Sequence, residues 1–104
     1  GQHVDSYKSY RRIVEEISDR NYKHNRSLIE NGNATRGPFD NHLDHVFSIW
    51  NGWRLGIPPF IIGHYTNLRM ISYSENCKKS YGNHKTIDQL YCDILDVIGQ
   101  DTEK

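Results

Sequence analysis

The chain has 104 residues, enough for one domain around one modest core. Thirteen basic and thirteen acidic side chains cancel, which argues against a protein that coats nucleic acid indiscriminately. Hydrophobic residues make up 36% and the mean hydropathy is −0.80, so the twelve aromatics must supply much of the buried area. No apolar run approaches the roughly 18 residues of a bilayer-spanning helix, and no signal-type apolar segment opens the chain. The expectation is a soluble, cytoplasmic protein with no membrane partner. Cys77 and Cys92 lack any CxxC arrangement, which argues against a disulfide scaffold and against structural zinc.

Taken in chain order, residues 5–20 predict a helix. Asp5 and Ser6 offer N-caps, while Tyr7, Tyr10, Ile13, Val14 and Ile17 recur at helical spacing. Its other face, with Arg11, Arg12, Glu15, Glu16, Asp19 and Arg20, is mixed in sign: a solvated face, or a nucleic-acid contact through Arg11 and Arg12. A helical turn over Arg26–Glu30 and a turn-rich loop over 31–41 follow. His42–Ile49 alternates as a strand, and Trp50–Pro59, with two glycines and two prolines, reads as a long ordered loop. A helical turn at Pro59–Ile62 precedes a second strand at Leu68–Ile71. A short helix capped by Ser72 or Ser74 then runs to about Ser80, with Glu75 in its first turn and Lys78 and Lys79 in its last. In the final helix from Thr86, the residues Ile87, Leu90, Tyr91, Ile94, Leu95 and Ile98 form one stripe that Gly99 closes. The fold class is α+β, a single domain over 1–104. Its charge is uneven: residues 41–80 hold four basic and two acidic side chains, and 81–104 hold two and five. A polyanion would therefore meet the middle of the chain or the first helix.

Three short runs carry the candidate chemistry: Leu43-Asp44-His45 on the first strand, Asn67-Leu68-Arg69 opening the second, and Glu75-Asn76-Cys77-Lys78-Lys79 on the short helix. Phosphodiester hydrolysis could use such a set, because it needs a divalent cation near the leaving oxygen and a base for the attacking water. Asp44 and Asn76 offer hard oxygen donors suited to Mg2+ or Mn2+ rather than zinc. His45 has the intrinsic pKa of a general base near neutral pH. Neighbours on a strand point to opposite faces, so Asp44 and His45 can serve one site only where the strand ends or bends.

The stretch LDHVFSIWNGWRLGIPPFIIGHYTNLRMISYSENCKKS, residues 43–80, resembles the HNH, or His-Me finger, endonucleases. It looks closest to the small phage-type and homing members, through the Asp-His pair, "Gly-Ile-Pro-Pro", "Asn-Leu-Arg" and "Glu-Asn-x-x-Lys". The resemblance implies a ββα-metal core flanked by the N- and C-terminal helices. It also implies a catalytic pair, His45 as general base and Asn67 fixing the loop that orients it, with one Mg2+ (or Mn2+) held by Asp44 and Asn76. Asn76 stands where many members have histidine, which makes this an HNN variant. The CxxC pairs that bind structural zinc in many members are absent. The implied activity is DNA cleavage leaving a 5′-phosphate and a 3′-hydroxyl, in a phage- or mobile-element-encoded protein of a bacterial host.

Around that set, Arg54, His64, Arg69, Lys78 and Lys79 are the candidate DNA contacts. The bland readings are a loop histidine for His64 and charge complementarity at a helix end for Lys78 and Lys79. Trp50 and Trp53 read as loop anchors rather than base-stacking platforms. Two-strand cleavage would call for a homodimer, sequential nicks or a protein partner for targeting. The competing functions are a catalytically silent module of the same fold, binding DNA or a protein, and a nuclease directed at RNA.

Overall fold

The structure, a computed structural model, describes residues 6–79 and 83–102; the cap candidate Asp5 and the helix end at Ser80 lie outside them. Helix α1 spans Tyr7–His24, a full turn beyond the predicted end, and Ser6 caps it by accepting from the Ser9 amide. Tyr10, Val14 and Ser18 form its buried stripe. A 3₁₀ turn follows at Arg26–Leu28.

Strands β1 (Asn41–His45) and β2 (Leu68–Ser72) pair antiparallel, from Asn41 opposite Ser72 to His45 opposite Leu68. The register sorts the side chains: Asp44 shares a face with Arg69 and His42, while His45 shares the other with Leu68 and Met70. The predicted strand 42–49 is thus shorter than expected. After His45 the chain leaves the ladder, because the Val46 amide donates to the Asn67 carbonyl and the Phe47 amide to the Asn67 side chain.

The predicted loop 50–59 is also corrected. Ile49–Arg54 forms helix α2, capped by Ser48, and Pro59–Ile62 forms helix α3 with Pro59 in its first turn. Gly52 is not a breaker here: an added Cβ would stand 2.7 Å from Ile62 and 2.8 Å from the Tyr10 hydroxyl. Gly56, at φ 71°, makes the turn that ends this helix. A 3₁₀ turn at Tyr65–Asn67 leads into β2.

Helix α4 (Tyr73–Lys78), capped by Ser72, packs on both strands. Helix α5 (Ile87–Thr102) runs through Gly99 instead of ending there. Only Leu90 and Ile94 of its predicted stripe are buried; Ile87, Tyr91, Leu95 and Ile98 are 38–62% exposed. The core gathers Tyr10, Val14, Phe47, Ile57, Ile61, Ile62, Leu90 and Ile94 between α1, α3 and α5. Each large side chain buried there contributes roughly 1.5–3 kcal/mol. The result is a mixed α+β domain, and among the described residues no helix is long and apolar enough to cross a membrane.

Candidate active site

A cleft of about 620 Å³ opens between α1 and the outer edge of β1. Its walls include Arg11, Ser18 and Asp19 from α1, Asp44 and His45 from β1, and Trp50 and Lys79 beyond. Asp44 and His45 point to opposite faces of the sheet, yet both reach this cleft because β1 ends at His45.

His45 is held from α1. Its Nε2 lies 2.7 Å from the Ser18 hydroxyl oxygen, and Ser18 itself is buried. Burial pushes the imidazole pKa down to about 4, against an upward pull from Asp44 that outweighs the smaller downward push of the Lys79 ammonium. The ring is therefore neutral at pH 7, the state a base requires.

Asn67 has no exposed surface. Its side-chain oxygen accepts from the Phe47 amide at 2.8 Å, and its nitrogen donates to the carbonyls of Phe47 and Ile62 at 3.0 and 2.8 Å. It clamps the segment just after His45 to the end of α3. The clamp lies within the core, where Asn67 is out of reach of a substrate.

Asp44 is gripped by two cations. Arg69 Nε donates to one carboxylate oxygen at 2.8 Å, and Lys79 Nζ to the other at 2.6 Å. The three side chains are 8%, 20% and 12% exposed, so the cluster is largely dry. Lys79 Nζ also donates to the His45 carbonyl at 3.0 Å. The ammonium thus sits between a carboxylate and a carbonyl oxygen, a donor pair that suits a hard cation.

Asn76, half-buried on α4, is turned toward His42, its Nδ2 donating to the His42 Nδ1 at 2.7 Å. The His42 Nε2 donates in turn to the Pro38 carbonyl at 2.8 Å, which fixes that ring. Because the amide nitrogen is the group engaged, the Asn76 oxygen stays available as a hard donor. Asp44, His42 and Asn76 all belong to the side of the sheet that carries α4. Among the described residues there is no cluster of three or more His, Cys, Asp or Glu, and Asn76 does not line the cleft that Asp44 reaches.

The candidate DNA contacts scatter. Lys79 and Arg69 are spent on Asp44, and Arg69 also reaches His84 at 2.7 Å. Lys78 is exposed on α4, lining a smaller cavity with Arg69, Ile71 and Glu75. Arg54 is exposed at the end of α2, bound to Asn51 and outside the cleft. The His64 Nδ1 accepts from the Thr66 amide and so caps a 3₁₀ turn; burial and Lys85 lower its pKa.

Sequence reasoning missed Ser18 and His42. His42 could have been found by its place two residues before Asp44, on the same strand face. Ser18 had no signal beyond a polar residue at the stripe spacing of Tyr10 and Val14. No family model matches the chain, and neither curated proteins nor solved structures include a match to it.

Proposed function

We propose that this protein is a metal-dependent DNA endonuclease with a ββα-metal core formed by β1, β2 and α4. The observation that carries the reading is the meeting, at one strand end and in one cleft, of a neutral imidazole and a carboxylate already gripping a cation. His45 takes the proton of the attacking water. Asn67 holds the following loop so that the imidazole keeps its aim, and His42 orients the Asn76 amide. Asp44 and Asn76 would hold the Mg2+ or Mn2+. Such an ion, when bound, supplies charge neutralisation at the scissile phosphate and the leaving oxygen. Lys79, whose ammonium occupies the cation position on Asp44, would then be released toward phosphate; Lys78 is exposed but outside the cleft.

The alternative is a catalytically silent domain that binds DNA or a protein partner. The occupation of both Asp44 oxygens by Arg69 and Lys79 favours it, since a structural ion cluster needs no metal. Conversion of supercoiled plasmid separates the two. Nicked or linear product that requires Mg2+, is lost in EDTA and is lost in a folded His45→Ala variant supports the endonuclease. Intact plasmid in every condition, with salt-sensitive DNA binding, supports the silent module.

A further inference from the structure

Ser18 lies on α1, outside the strand-strand-helix unit that the proposed mechanism uses, yet it makes the hydrogen bond to the candidate base. Its hydroxyl oxygen stands 2.7 Å from the Val14 carbonyl oxygen and 2.7 Å from His45 Nε2. A hydroxyl has one hydrogen, and a carbonyl can only accept. The Ser18 hydrogen is therefore committed to Val14, since two bare oxygens would repel at that distance. The contact with His45 must then be made by a hydrogen on the imidazole.

We infer that Ser18 is a positioning residue that holds His45 as the Nε2–H tautomer and so assigns Nδ1 as the nitrogen that accepts the water proton. The Nδ1 atom has no hydrogen-bond partner among the described residues, while His45 lines the cleft. The serine is well placed to select one tautomer. It is 1% exposed, its side chain is pinned at both ends, and Gly63 lets α1 approach closely. A Cβ on Gly63 would lie 2.9 Å from Ile17 and 3.2 Å from the Ser18 oxygen. In water the Nε2–H and Nδ1–H forms of imidazole coexist; a fixed acceptor at Nε2 removes that mixture. Helix α1 thereby becomes part of the active site. The inference builds on the reading of His45 as the base, but its primary test does not depend on cleavage.

The test is two-bond ¹H–¹⁵N correlation spectroscopy of the histidine rings in the full chain at pH 7. The expected His45 pattern is a single Nε2–H tautomer. An Nδ1–H pattern would overturn the inference without any variant being made. Ser18→Ala should shift His45 toward a tautomer mixture, and Ser18→Cys, with a weaker acceptor, should fall between; if the alanine variant does not fold, the cysteine variant carries the comparison. An unchanged tautomer in the folded variants would also overturn it. In the plasmid assay, Ser18→Ala should lower kcat about tenfold with KM unchanged. A wild-type protein that shows the Nε2–H tautomer, lost in Ser18→Ala, but never cuts DNA would refute the endonuclease reading and leave the role of Ser18 standing.

Discussion

Lowering the pH should destabilise this protein through His45, by an amount the site geometry sets. In the unfolded chain the imidazole titrates near its ordinary value of 6.5, whereas in the fold burial holds it at about 4. Between those values the unfolded state binds the extra proton, so stability is full above pH 6.5 and falls as the pH drops toward 4. Below about pH 4 this residue costs nothing more. A gap of that size corresponds to about 3 kcal/mol in all, of which about 2–3 kcal/mol is already lost at pH 4.5. Urea denaturation of wild type and His45→Gln at pH 7 and pH 4.5 isolates the effect. Glutamine can still donate to Ser18 but cannot titrate in this range. His64, depressed by burial and Lys85, acts in the same direction but is common to both proteins. The loss between the two pH values should be about 2–3 kcal/mol larger in wild type than in the variant. Equal losses would refute the reasoning that the fold holds the half-buried His45 in its neutral form.

Asn67→Ala should cost about 4 kcal/mol in denaturant unfolding, because it strands the Phe47 amide and two carbonyls in the core. Against a typical domain stability of about 5–15 kcal/mol, that leaves the variant close to unfolding. Asp44→Asn should cost about 3 kcal/mol, since Arg69 and Lys79 lose their shared countercharge in a largely dry cluster. Breaking the exposed Arg11–Glu15 pair by Arg11→Ala should change the same measurement by less than about 1 kcal/mol. Gly52→Ala should lower stability by about 1–3 kcal/mol through overpacking against Ile62 and Tyr10, and a neutral result in thermal unfolding would contradict the closeness of α2 to α1.

What the sequence made legible depends on whether a signal is local. The helical spacing of Tyr10 and Val14 and the caps at Ser6 and Ser72 act within one or two turns, and both helices start where they were read, although α1 runs a turn longer. Gly52 misled because a glycine has two physical uses. It was read as a turn former, but its work is to admit Ile62 and Tyr10, two side chains far away in the chain. The apolar stripe of α5 predicted a helix correctly and its burial only in part. Periodicity tells which residues share a helix face; it does not tell how much of that face the rest of a small domain can cover. The end of β1 was equally hidden, since Asn67, well beyond it in the chain, takes the amides of Val46 and Phe47 out of the ladder.

The site divides along the same line. Asp44, His45 and Asn67 were singled out because their spacing carries the resemblance; the fold brings the first two to one cleft, and the third clamps the adjoining loop. The partners of Asp44 and His45 were not legible, because each arrives from another element. Lys79 and Arg69 were expected to face phosphate, but a buried carboxylate has a stronger claim on them than solvent or a distant anion while no substrate is bound. Ser18 came from a helix whose polar face was read through its charged residues alone. Asp44 and His45 are neighbours in the chain but are satisfied on opposite faces of the sheet, one by α4 and β2 and the other by α1. A divalent ion on Asp44 would have to displace Lys79 from a carboxylate oxygen and so disturb its bond to the His45 carbonyl, whereas the contact of the His45 ring with Ser18 involves neither cation. Under the endonuclease reading we propose, exchange of cations at Asp44 would be the step at which the site changes state, separate from the Ser18 contact that holds the imidazole.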